Sequence, residues 1–181
     1  MHLLLLLTTN YKLLTTLMII LGIDPGTSSI GYSILDCTQK PPRLMEAKLL
    51  PIARGAPEDR LMDVHKEIKK IIEQWKPTAA SVEKLFFAKN AKTAMAVSEA
   101  RGVILLTAKL AGITVYEYTP LTIKKVVTGD GTADKTQVQK MVRLILKETA
   151  TLPSQDDVFD SIASALCCFY QEGNQSNQWR K

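Results

Sequence analysis

Histidine is almost missing from this chain, with two residues in 181, and cysteine is scarce, with three. His2 and His65 lie far apart and give no signal of a His-based metal site or a His-centred triad. Cys37, Cys167 and Cys168 are odd in number and lack metal-ligand spacing. That argues against a disulfide framework and for reduced thiols packed as small apolar residues, as in a cytoplasmic protein. Long hydrophobic runs are also wanting. The Leu- and Thr-rich residues 1–17 are interrupted by Thr8-Thr-Asn-Tyr-Lys12, well short of a membrane span. They lack the basic start and small-residue cleavage site of a signal peptide. They read as a dispensable extension, or as a mis-assigned start with translation beginning at Met18. No membrane association is expected, and no internal repeat or long linker is visible.

The composition is that of an ordinary globular protein, 46% hydrophobic and 23% charged, and the length suits one domain with a real core. The net charge of +5 is unevenly spread. Residues 84–147 carry 11 Lys/Arg against 4 Asp/Glu, a local +7, while the rest of the chain sums to −2. This split suits an acidic metal site beside a surface for a polyanion. The plainer alternative is a solvated basic face with no partner.

Apolar runs and breakers predict strands at Ile19–Asp24, Ile30–Leu35, Leu44–Ile52, Ala79–Glu83 and Ile113–Tyr118. Pro25-Gly-Thr-Ser-Ser marks the turn of a first hairpin. Helical spacing predicts helices over Glu58–Trp75, Ala91–Leu110, Pro120–Val127, Asp134–Lys147 and Ser154–Tyr170. Gly112 would stop the second of these. Gly129-Asp-Gly131 is a candidate mobile loop, and the chain from Glu172 onward is a polar tail. The outcome is an α/β fold with a mixed five-stranded sheet flanked by helices. Its first three strands are antiparallel and its later ones joined by crossovers. The Ala91–Leu110 helix is apolar or small on most sides, which suits either a central core helix or a homodimer interface.

Acidic residues occur where burial makes them costly. Asp24 ends the apolar run Met18–Ile23, and Glu83 ends the run Ala79–Val82. Asp157 and Asp160 are spaced i, i+3 on one face of the last helix. A fold that gathers such groups must neutralise them, and hard oxygen ligands suit Mg²⁺. Local alternatives exist for some. Ser154-x-x-Asp157 could form a capping box, and Asp-Pro-Gly-Thr could be a simple turn. That turn also resembles the phosphate loop of sugar-kinase and actin-like ATPases. Asp156 reads as merely solvated. Glu83, at a strand end, has no local capping task.

A strand Asp, a strand-end Glu and a C-terminal helical Asp-x-x-Asp, in that order, resemble the metal cluster of ribonuclease-H-like nucleases. The segments Ile20-Leu-Gly-Ile-Asp-Pro-Gly-Thr27, Val82-Glu-Lys-Leu-Phe-Phe-Ala-Lys-Asn90, Glu99-Ala-Arg-Gly-Val103, Lys124–Leu146 and Asp157-Val-Phe-Asp160 resemble the RuvC family of bacterial Holliday-junction endonucleases. The similarity runs in order from about Met18 to Tyr170. It implies a ribonuclease-H-like nuclease domain over residues 18–172, with a polar tail at 173–181.

The resemblance further implies that Asp24, Glu83, Asp157 and Asp160 are catalytic and bind two Mg²⁺, for which Mn²⁺ can substitute, roughly 4 Å apart. Hydrolysis would leave a 5′-phosphate and a 3′-hydroxyl. Relatives can carry His at the position of Asp157. Lys124 and Lys135 would hold the scissile phosphate, and Phe86 would stack on a base at the opened crossover. Lys89, Lys92, Lys140 and Arg143 are the remaining candidate DNA contacts, while Phe87 suits the core. Lys84 departs from the uncharged polar residue common in relatives. Paired symmetric nicks require a homodimer, which favours the interface reading of Ala91–Leu110. The implied partners are four-way junction DNA and a branch-migration complex of RuvA and RuvB. Competing readings are a nuclease for ribosomal RNA precursors, a kinase-type ATPase for which the chain is short, and a junction-binding module without catalysis.

Overall fold

The computed structural model describes residues 19–26, 29–85 and 91–175, with the backbone alone at 91–93 and 174–175. Residues 1–18, Phe86, Phe87, Lys89 and the side chain of Lys92 lie outside the described set.

Five strands form one mixed sheet: β1 (Ile19–Asp24), β2 (Gly31–Asp36), β3 (Arg43–Leu49), β4 (Ala79–Glu83) and β5 (Thr114–Tyr118), in the order β3-β2-β1-β4-β5. β1 pairs antiparallel with β2, and β2 with β3, whereas β4 runs parallel to both β1 and β5. β3 ends three residues before the expected Ile52, ahead of Pro51, which has no N–H for a ladder. β1 and β4 read as almost unbroken apolar runs because both of their faces are covered.

Alternate side chains supply two cores. Leu21, Ile23, Ala80 and Val82 face helix α1 (Pro57–Trp75) and helix α2 (Ala91–Leu110). On α1 the stripe Val64, Ile68, Ile71 and Ile72 is buried, each Ile contributing about 1.5–3 kcal/mol. Lys76, in the left-handed region at φ 48°, ends that helix before Pro77. Gly112, at φ 75°, follows α2 as expected. Ile20 and Ala79 face the opposite core, with helices α3 (Pro120–Thr128), α4 (Lys135–Ile145) and α5 (Asp156–Gln175).

Three expectations change here. The Gly129–Gly131 segment is a built turn, in which Asp130 accepts from the Thr132 N–H and hydroxyl, each at 2.8 Å. The helix expected to reach Lys147 ends at Ile145 and gives way to a short 3-10 helix, Lys147–Thr151. α5 runs past Tyr170 to Gln175, and Tyr118 Oη donates to Glu172 at 2.8 Å. Among the described residues no helix is long and apolar enough to cross a membrane.

Candidate active site

Strand pairing places the first two acids. Ile23 is opposite Val82 in the parallel pair, so Asp24 and Glu83 end neighbouring strands. Both carboxylates fall on the α5 face, by alternation from Gly22 and Ser81. Gly22 meets α5 directly, since a Cβ there would stand 2.2 Å from the Ser161 carbonyl oxygen. Ser81 Oγ donates to the Ser164 carbonyl at 2.8 Å. The carboxyl ends of parallel strands are where open α/β sheets place their reacting groups.

Helix α5 brings the other two. It lies close enough on β2 that a Cβ at Gly31 would be 1.9 Å from the Asp157 carbonyl oxygen. Two glycines in otherwise apolar strands therefore let α5 sit against the sheet with Asp157 and Asp160 near Asp24. Those glycines were the sequence signal for this close approach, and pattern reading passed over them.

Burial and neighbouring charges raise Asp24, Glu83 and Asp160. Asp24 is pushed up to about 8, first by burial and then by the charges of Glu83, Asp160 and Asp157. Glu83 is pushed up to about 7 by burial and Asp160, against the lowering pull of Lys124 and Lys135. Burial also raises Asp160, which Lys135 counteracts. Like charges in a partly desolvated site resist joint ionisation.

Among the described residues no three acidic, His or Cys side chains form a ready-made metal cage. Two of the carboxylates are engaged on other groups. Ser29 Oγ donates to Asp157 Oδ2, and Lys135 Nζ stands 3.9 Å from Asp160 Oδ2. As a donor set, four neighbouring carboxylates suit a hard divalent cation, whose charge would offset the burial and the repulsion that lift Asp24.

Two capping and solvation expectations are overturned. α5 begins at Asp156, and Asp157 is bound by Ser29 instead of closing a box on Ser154, because Ser29, two residues ahead of β2, delivers its hydroxyl from across the fold. Asp156 is not merely solvated. It pairs with Lys135 Nζ at 3.0 Å and accepts from Gln139 Nε2 at 3.1 Å.

Lys124 and Lys135 line a cavity of about 180 Å³ with Glu83 and Asp160. Lys140 is exposed on α4. Arg143 turns inward. It donates to the carbonyls of Thr149 and Leu152 and to Ser154, and covers the Phe159 ring at 4.6 Å. Its guanidinium thus braces the segment leading into α5, a different task from the DNA contact expected of it. A larger apolar cavity of about 360 Å³ opens between α1 and α2 behind Ser29. Its lining holds no paired carboxylates and no lysine.

The family model described as crossover junction endodeoxyribonuclease RuvC matches residues 20–168. The crossover junction endodeoxyribonuclease RuvC of Roseiflexus sp. (strain RS-1) is 45% identical over 151 residues, covering 83% of this chain and 89% of that protein. The structure of T. thermophilus RuvC in complex with Holliday junction substrate superposes with a TM-score of 0.78 at 30% identity, over 87% of this chain and 96% of that one. The yeast mitochondrial Holliday junction resolvase shares the fold, with a TM-score of 0.66 at 12% identity, over 88% of this chain and 83% of its own.

Proposed function

The chain belongs to the RuvC family of crossover junction endodeoxyribonucleases, and from that premise we propose how its own residues carry out the reaction. It is a Holliday-junction resolvase, a metal-dependent nuclease that binds four-way junction DNA. Family membership closes the ribosomal-RNA and ATPase readings.

Asp24, Glu83, Asp157 and Asp160 are the catalytic carboxylates, and they would hold two Mg²⁺, or Mn²⁺ in its place. The observation that carries this reading is geometric: Asp24 and Glu83 end neighbouring parallel strands on the face where α5, which bears Asp157 and Asp160, packs directly on the sheet. When bound, the two ions supply activation of the attacking water and stabilisation of charge on the leaving 3′ oxygen. The chain's own residues do the remaining work. Asp24 and Glu83 give up the protons that burial and repulsion retain. Ser29 fixes the orientation of Asp157. Lys124 and Lys135 direct their ammonium groups into the cavity shared with Glu83 and Asp160, where non-bridging phosphate oxygens are attracted to them. A phosphate entering there competes with Asp156 and Asp160 for Lys135. The products are a 5′-phosphate and a 3′-hydroxyl.

Phe86, Lys89, Lys92 and Lys140 are assigned to junction DNA, Phe86 by stacking. Two symmetric nicks call for a homodimer, and exposed Met95, Leu106 and Leu110 on α2 support that helix as the paired surface. The proposed motor partner is a RuvA–RuvB branch-migration complex, and the proposed location is the cytoplasm. Residues 18–172 form the nuclease domain, supported by the match over 20–168, with 1–17 and 173–181 flanking it.

The deciding assay incubates the purified protein with a labelled four-way junction, a linear duplex and a structured RNA, with and without Mg²⁺. Paired symmetric nicks confined to the junction are expected. An absence of cleavage in both Mg²⁺ and Mn²⁺ would leave only a junction-binding module.

A further inference from the structure

The segment Glu99-Ala-Arg-Gly-Val103 has no part in the site described so far. Its Arg101 lies on α2, on the sheet face away from the carboxylates, with its side chain only 17% exposed. Nε donates to the backbone carbonyl of Glu83 at 3.2 Å, and Nη2 donates to the Glu117 carboxylate on β5. Burial lowers the guanidinium pKa. A partly desolvated charge of this kind is costly unless it is paired and hydrogen-bonded.

The arrangement follows from strand geometry. Glu117 is opposite Val82, so its side chain shares the α2 face. Glu83, one residue on, turns its carboxylate to the α5 face and leaves its carbonyl within reach of α2. β1 ends at Asp24, and the next residue, Pro25, has no N–H to offer a neighbouring carbonyl. Arg101 supplies that donor from behind the sheet. The Lys84 N–H, at 2.8 Å from the Tyr118 carbonyl, closes the other side of the strand end. The planar guanidinium serves the carbonyl and the carboxylate from two nitrogens held in a rigid fork; the ammonium of Lys has three donors on one nitrogen and no such fixed span.

We propose that Arg101 is a positioning residue for Glu83, fixing the end of β4 so that its carboxylate meets the metal site in one orientation. This rests on the reading of Glu83 as a metal-holding carboxylate. Arg101 touches neither substrate nor metal and acts through the strand.

The test compares wild type, Arg101→Lys, Arg101→Met and Glu83→Gln as full-length proteins. Four quantities are measured: single-turnover junction cleavage as a function of Mn²⁺, junction affinity without divalent ions, Mn²⁺ binding to the protein alone by electron paramagnetic resonance, and thermal midpoint. Arg101→Lys keeps charge and stem but not the fork. It is expected to bind the junction as wild type does and to lose about 10- to 100-fold in cleavage rate, as changes to the groups that orient metal ligands do. Its Mn²⁺ binding weakens correspondingly, and excess Mn²⁺ restores part of the rate. Arg101→Met follows the same direction with a larger loss. Wild-type cleavage and Mn²⁺ binding in Arg101→Lys would overturn the proposal. So would a loss of cleavage that tracks thermal midpoint and junction affinity and that Mn²⁺ does not restore, since that is the signature of a structural brace. Equal Mn²⁺ binding by wild type and Glu83→Gln would instead remove the role given to Glu83, and the inference with it.

Discussion

Asp24 governs the pH behaviour of the site. Its carboxyl is raised from the usual 3.8 to about 8, so the folded protein holds a proton that the unfolded chain has released. A raised carboxyl gives stability that is full below its ordinary range and lost as pH climbs to the folded value. The thermal midpoint of the metal-free protein is therefore expected to fall between about pH 4 and pH 8, with Glu83 contributing up to about 7. Asp24→Asn should flatten that slope in a calorimetric series. An unchanged slope would mean that Asp24 does not carry the excess proton. Because cation binding requires deprotonated carboxylates, cleavage in Mg²⁺ should rise with pH through the same window. Asp24→Asn should keep junction binding and lose at least ~100-fold in cleavage, beyond the usual effect of removing a group that only orients a ligand. Loss of binding in a gel-shift titration would make Asp24 structural.

Helix α5 works as a unit because β1 and β2 let it approach. Gly31→Ala would drive a methyl against the Asp157 backbone and should cost about 3 kcal/mol or more, read from urea unfolding. Gly102, on α2, has open space where a methyl group would stand; Gly102→Ala should stabilise the helix by about 0.5–1 kcal/mol. Equal effects at the two glycines would refute the close approach of α5. The elements themselves were largely legible beforehand. Apolar runs ended by Asp24 and Glu83 marked β1 and β4, and the 3.6-residue stripe marked α1. The cap read for Asp157 was not borne out, because the winning donor, Ser29, lies 128 residues away in sequence. Arg143 likewise looked like part of a basic helical face, yet its partners lie in the segment beyond α4.

For the whole molecule, the proposed homodimer would place one cutting site on each side of a two-fold junction. Leu106 is 59% exposed on α2, and Leu106→Glu should shift the protein toward monomer in sedimentation velocity. Junction binding should weaken steeply with salt, as expected of a basic surface that releases counterions from DNA. A flat salt dependence would argue against the run of positive charge in residues 84–147 as the DNA face.

The order of acids, the element types and the polarity of the basic segment were all written in the chain, since each depends on local period or on residue identity. Proximity was not. Whether Asp157 caps its helix or joins Asp24, whether Asp156 is solvated or binds Lys135, and what Arg101 holds depend on which elements the sheet brings together. Those contacts cross the sheet or join distant strands and helices, and a linear pattern carries no record of distance through space.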